Sequence, residues 1–273
     1  MSDLRSLGPV MLVGAGKMGM ALAEGWLGAG MPPSNLVLVD PNPGEAAQAL
    51  AADNDLVIHS QAAGLVPNVL VLAVKPQIIS AVMEGLEPVI GPQTLVVSIA
   101  AGVSIEKLSQ GLGTGRIVRT MPNTPAQIGK GITGAVAGPE VARADKDAAN
   151  ALLAAAGAVV WFDGERDLDA VTAVSGSGPA YVFNLVEAMA AAGVAEGLPE
   201  HIAMQLARQT VIGAAALMEA DPAPASVLRQ NVTSPKGTTA AALDVLMAAD
   251  GLEPLMKRAV DAARKRSEEL GQG

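Results

Sequence analysis

Gly14, Gly16 and Gly19 stand in the spacing G-x-G-x-x-G within "VMLVGAGKMGMALAEGWL", after a short apolar run and before a stretch with helical periodicity. This spacing suits a backbone cradle for a pyrophosphate: Gly14 makes the tight turn, Gly16 admits the phosphates close to the chain, and Gly19 lets helix pack on strand. Asp40 ends the next apolar run about 20 residues further on, where a carboxylate can accept from adenosine ribose hydroxyls. It would repel a 2'-phosphate, and "DPNPGEAAQ" offers no Arg to hold one, so the residues lean towards NADH over NADPH. The plain alternative is that Asp40 caps the turn before Pro41.

A second constellation lies far downstream. In "NVTSPKGTTAAALDVL", residues 231–246, a run of Thr, Ser, Pro, Lys and Gly leads directly into a helix start. Free backbone N–H groups and hydroxyls then gather at the positive end of the helix dipole, which is a seat for an anion. Ser234 and the backbone of Gly237 and Thr238 could hold a carboxylate, leaving the Thr239 hydroxyl for a neighbouring polar atom. A well-capped helix without a ligand is the structural alternative.

Further loops border the first site. "LAVKPQ" at 72–77 and "SIAAGVSI" at 98–105 end apolar runs where ligands of open sheets collect, and Ala100, Ala101 and Gly102 are small enough to admit a nicotinamide ring. Lys75 there is equally an ordinary solvated lysine. "RTMPNTPAQIG" at 119–129 and "SGSGPAYVF" at 175–183 are rich in Pro, Gly and Ser, suited either to meeting a ligand or to a simple turn.

Positioning these groups requires a scaffold, and the chain supplies two kinds. Runs of Val, Ile and Leu at 10–13, 35–40, 55–58, 69–74, 94–100, 116–120 and 158–163 predict strands, with helices at 17–29, 43–52, 76–86 and 104–111 between them. Apolar runs without polar alternation belong to a parallel sheet covered on both faces, hence an α/β Rossmann-type domain over 1–164. Beyond it, Ala, Leu and Met recur at helical spacing through 170–219, 238–249 and 254–270, which predicts an all-helical domain over 165–273. Segments such as "VEAMAAAGVAEG" carry too few charges for a domain of about 100 residues to bury alone, so a homodimer at least is predicted.

A net charge of −9 over 273 residues argues against nucleic acid or an anionic membrane as partner. With no cysteine there is no disulfide framework, thiolate nucleophile or Cys-based metal site, and no metal is expected. The longest greasy segment, 151–162, is too short to span a bilayer and the start suits no signal peptide, so the cytoplasm is the expected location.

A cofactor cradle on one domain and a carboxylate seat on the other imply a small acid reduced or oxidised between them. Carbonyl reduction calls for a general acid, yet the inventory is only His59, His201 and the single tyrosine, Tyr181. A cationic C=N substrate removes that need, because hydride addition gives a neutral amine.

"VGAGKMG", "LAVKPQ", "MPNTPA", "SGSGPAYVF" and above all "VTSPKGTTAAAL" resemble pyrroline-5-carboxylate reductase over essentially the whole chain. The resemblance implies a Rossmann domain plus a helical dimerisation domain, assembled as homodimers or rings of dimers. It implies reduction of 1-pyrroline-5-carboxylate to L-proline with NAD(P)H. Cofactor contacts by position are Gly14, Ala15, Gly16, Lys17, Met18, Gly19, Asp40, Asn42, Ser60, Ala73, Val74, Lys75, Pro76, Ala101 and Asn231. Substrate contacts are Glu165, Ser234, Gly237, Thr238 and Thr239, with Thr239 catalytic through a hydrogen bond to the ring nitrogen. Lys236 departs from the family pattern, which generally has Gly there. Two rivals remain: a β-hydroxyacid dehydrogenase, although no lysine occurs between 147 and 235 to serve as its catalytic base, and a dinucleotide-sensing protein without turnover.

Overall fold

The computed structural model describes residues 3–62 and 64–271, so the outermost residues of the two predicted domains, 1–2 and 272–273, lie outside the described residues. The chain forms two compact units, Met1–Ser177 with Ala263–Gly273, and Gly178–Ala262. Elements of the first run β1 (Val10–Val13), α1 (Lys17–Gly28), β2 (Leu36–Val39), α2 (Glu45–Asp53), β3 (Ile58–His59), β4 (Val69–Leu72), α3 (Ile79–Glu84), β5 (Leu95–Ser98) and α4 (Ile105–Leu112). They continue with β6 (Ile117–Met121), β7 (Gly131–Ala137), α5 (Arg143–Ala154), β8 (Gly157–Phe162) and α6 (Asp167–Val171).

The sheet order is β3-β2-β1-β4-β5-β6-β7-β8. The chain leaves β1 towards β2 and returns on its other side at β4, so the crevice beyond the carboxyl ends of β1 and β4 is the switch point where such sheets bind ligands. All neighbouring pairs run parallel except β6 with β7, which is antiparallel.

Both faces are covered, which explains the unbroken apolar runs. Leu12, Leu38, Val71 and Val97 pack with Leu22, Trp26 and Leu152 on one face, and Met11, Leu70, Leu72 and Val96 pack with Ile79, Leu108 and Ile117 on the other. Trp26, 1% exposed, donates its indole N–H to the Leu152 carbonyl at 2.8 Å, tying α1 to α5. Truncating it to Ala would cost about 3–5 kcal/mol.

Two elements of this unit, β7 and α5, fall where the sequence reading places none. The strand β7 falls where no strand is expected, and its antiparallel pairing breaks the parallel pattern. The greasy segment 151–162 holds the end of α5 and then β8, which matches the strand expected at 158–163. The "SGSGPAYVF" stretch falls across a π turn, Thr172–Gly176, followed by a new helix at Gly178.

The second unit is helical, with α7 (Gly178–Ala195), α8 (Glu200–Ala220), α9 (Ala225–Asn231) and α10 (Thr238–Leu246). The last helix, α11 (Leu252–Gly271), begins in this unit and ends in the first, where the Ser267 hydroxyl donates to Asp169 Oδ1 at 2.7 Å. Phe183, Leu217 and Val245 stay 65%, 62% and 71% exposed, so this unit by itself leaves much apolar surface in water. No single helix among the described residues is long and apolar enough to cross a membrane.

Candidate functional site

The glycine loop joins β1 to α1, and its geometry explains each residue. Gly14 has φ +99°, and a Cβ there would fall 2.7 Å from the Ala73 carbonyl oxygen of the adjacent strand end. A Cβ at Gly19 would collide with the Gly14 carbonyl. Gly16 is different: it caps α1 with no side-chain hydrogen bond, and a Cβ there would meet nothing within 4 Å. Its missing side chain faces open space at a helix N-terminus, so the loop fits a pyrophosphate held by backbone N–H groups.

Two clefts open beside this loop and share Gly16 and Lys17. One, of about 560 Å³, is lined by Ala15, Gly16, Lys17, Asp40 and Asn42, together with Glu24, Glu45 and Gln127. The other, of about 330 Å³, is lined by Gly16, Lys17, Met18, Ala73, Val74, Lys75, Pro76 and Ala101, together with Ile99, Met121 and Pro122. The first has the polar groups an adenosine ribose requires; the second has the small apolar walls a nicotinamide requires. Eleven of the expected cofactor residues therefore line the pair.

Gly14 and Gly19 lie beneath as packing positions. Ser60 follows β3 and is exposed, one residue beyond His59, whose carbonyl accepts from Asp40 N at 2.9 Å. Asn231 ends α9 in the second unit. Met121, Pro122 and Gln127 are not assigned from sequence, although the "MPNTPA" loop that carries two of them stands out there. Asn123 of that loop is structural, since its Oδ1 accepts from Ile132 N at 2.9 Å and so fixes the start of β7.

Asp40 is held on both sides. Its Oδ2 accepts from Ala15 N at 2.8 Å and its Oδ1 from Asn42 N at 2.8 Å. It thus braces the glycine loop and the turn after β2 while lining the larger cleft.

The downstream loop is a tight turn into α10. Gly237 N donates to the Ser234 carbonyl at 3.0 Å, and Gly237 is the N-cap of α10 with no side-chain cap hydrogen bond. The N-cap thus contributes no side chain to the first-turn N–H groups. Ser234 and Thr238 are exposed, and Thr239 is half-buried. A Cβ on Gly237 would meet the Ser234 hydroxyl and stand 3.1 Å from the Ser234 carbonyl oxygen, so the hydroxyl that folds over the helix start would have to turn away. Lys236 is exposed and has φ +61°.

Glu165 belongs to the first unit and the 234–239 loop to the second. Its Oε1 accepts from Arg119 Nη1 at 2.8 Å and from Ile105 N at 2.9 Å, so it caps α4 alongside Ser104, whose Oγ accepts from Lys107 N at 3.1 Å. His59 and His201 are both exposed.

Comparison with known proteins decides the family. A pyrroline-5-carboxylate reductase of Pseudomonas aeruginosa is 41% identical over 96% of this chain and 97% of its own length. The chain belongs to the pyrroline-5-carboxylate reductase family. Another reductase of this family, from Pasteurella multocida, is 40% identical over 96% of the chain and 97% of its own. The family model described as pyrroline-5-carboxylate reductase dimerisation matches residues 165–270, and one described as NADP oxidoreductase, coenzyme F420-dependent, matches residues 9–102. Among solved structures, the reductase of Coxiella burnetii superposes with a TM-score of 0.90 at 33% identity, covering 97% of this chain and 99% of that one. The Plasmodium falciparum reductase with NADP bound gives 0.78 at 30% identity, covering 96% and 98%.

Proposed function

We propose that this chain reduces 1-pyrroline-5-carboxylate to L-proline with NAD(P)H. The observation that carries the reading is the pair of clefts sharing Gly16 and Lys17 at the switch point, in a chain similar over 96% of its length to a pyrroline-5-carboxylate reductase. When bound, the nicotinamide supplies hydride to the C=N carbon.

The residues of this chain do the rest by holding and orienting. Ser234 and the first-turn N–H groups at Gly237 and Thr238 hold the substrate carboxylate against the positive end of α10. The Thr239 hydroxyl orients the ring nitrogen, and because the imine is cationic no side chain must deliver a proton to an alkoxide. Catalysis is then mostly positioning. Residues 1–164 serve as the dinucleotide domain and 165–273 as the dimerisation and substrate domain, with Glu165, Ser60 and Asn231 completing the contacts. The enzyme works in the cytoplasm as a homodimer or a ring of dimers.

The test is to follow oxidation of NADH and of NADPH with pyrroline-5-carboxylate and with a 3-oxo acid. Turnover with the cyclic imine alone is expected. Turnover with the oxo acid alone would favour a hydroxyacid dehydrogenase, and cofactor binding without turnover a dinucleotide sensor.

A further inference from the structure

We propose that this chain selects NADH against NADPH and that Asp40 is the specificity-determining residue; the proposal rests on the dinucleotide reading of the larger cleft. Asp40 sits at the end of β2, with its N–H bound to the His59 carbonyl at 2.9 Å and its carboxylate fixed by Ala15 N and Asn42 N, each at 2.8 Å. Two donors on separate turns favour the rotamer that keeps the carboxylate at the cleft, since withdrawal would break both bonds. Each of its oxygens has a second lone pair, and a ribose 2'-hydroxyl can donate to one. A 2'-phosphate offers almost only acceptors and carries more than one negative charge at neutral pH, so it meets the same carboxylate with repulsion and an unpaired acceptor.

The surroundings offer little to offset this: one cation and the uncharged amides of Asn42 and Gln127. Lys17 is the one cation among the described residues lining the cleft, and it lines the neighbouring cleft as well, which places it at their junction. The turn after Asp40 reads Pro41-Asn42-Pro43-Gly44. Its two prolines have no N–H to donate, and the Asn42 N–H is already taken by Asp40. The start of α2 is the next set of backbone donors after this turn, and Glu45 stands in its first turn and lines the cleft with Glu24. A phosphate there would face three carboxylates.

The test is equilibrium binding of NADH and NADPH to the full chain by cofactor fluorescence, at low and high salt, with no substrate present. NADH is expected to bind at least about tenfold more tightly, with the gap narrowing as salt screens the repulsion. Asp40→Ser is expected to narrow the ratio by strengthening NADPH binding, and Asp40→Asn to do so with the side-chain shape kept. Equal or tighter NADPH binding by the unaltered protein overturns the proposal, whatever the variants do. An unchanged ratio in a folded Asp40→Asn protein overturns the role of Asp40. Failure of both cofactors to bind would instead overturn the dinucleotide reading and the preference with it.

Discussion

Arg119 and Glu165 form a partly buried ion pair, Nη1 to Oε1 at 2.8 Å, and the same Glu165 oxygen accepts from Ile105 N. The pair therefore links β6, the start of α4 and the segment entering α6. Glu165→Ala should leave a guanidinium only 11% exposed without its carboxylate and the N–H of Ile105 without its acceptor. Because Glu165 itself is about a third exposed, solvent screens part of the loss, and the expected destabilisation is about 1–3 kcal/mol. Urea denaturation measures it. Unchanged stability with reduced substrate affinity would mean that Glu165 serves the ligand alone.

Gly16 and Gly19 should respond in opposite ways to the same change. Gly16→Ala adds a methyl group into open cleft at an ordinary φ of −76°, so the melting temperature should hold while NADH affinity falls about tenfold or more. Gly19→Ala drives a methyl group against the Gly14 carbonyl, so the loop must shift and stability should fall by about 1–3 kcal/mol. Equal effects of the two changes on folding would show that Gly16 is not reserved for a ligand.

Legibility in the sequence followed what each element is made of. The strands β1, β2, β4 and β5 are readable because burial on both faces forces unbroken Val and Leu runs. The strand β7, "GITGAVA", is not, because two glycines break its pattern. The structure explains them: a Cβ at Gly134 would fall 2.8 Å from Val171 of α6, and one at Gly131 would fall 2.8 Å from the Ala156 carbonyl. Tertiary crowding, invisible in local periodicity, chose glycine there. The glycine cradle is readable because its strand, helix and following acid lie close in sequence. The ties of Asp40 to Ala15 and of Glu165 to Arg119 are not, since they join residues brought together only by the sheet.

Lys236 should be a stability defect. The Ser234 carbonyl and Gly237 N close a turn with Pro235 second and Lys236 third, and positive φ at the third place is the type II pattern that favours glycine. Holding a lysine at φ +61° costs about 1–2 kcal/mol, and glycine returns part of that as unfolded-chain entropy. Lys236→Gly is therefore expected to stabilise by about 0.5–1 kcal/mol, read as a higher urea midpoint at unchanged slope. A lower midpoint would show that the lysine side chain makes a compensating contact.

The apolar side chains left in water on the helical unit predict association. Phe183 on α7 and Leu217 on α8 are 65% and 62% exposed, and residues 165–270 match a dimerisation family. Light scattering at micromolar concentration should give the mass of a dimer or a larger assembly, and Phe183→Asp with Leu217→Asp should lower it. A monomeric mass for the unaltered chain would count against the prediction.

Thr239 provides the sharpest test of the chemistry. Its hydroxyl stands in the first turn of α10 and makes no hydrogen bond to another side chain or to the backbone among the described residues, so it is free to serve a ligand. If it orients the ring nitrogen more strongly as that atom changes from imine to amine, Thr239→Ala removes about 2–4 kcal/mol of transition-state stabilisation. That lowers kcat/KM by about 30- to 1,000-fold while NADH affinity, in which Thr239 takes no part, stays as it was. Thr239→Ser keeps the hydroxyl and should recover most of the loss. An undiminished kcat/KM in the alanine variant would leave positioning of the ring to the backbone of the loop and remove Thr239 from the reaction.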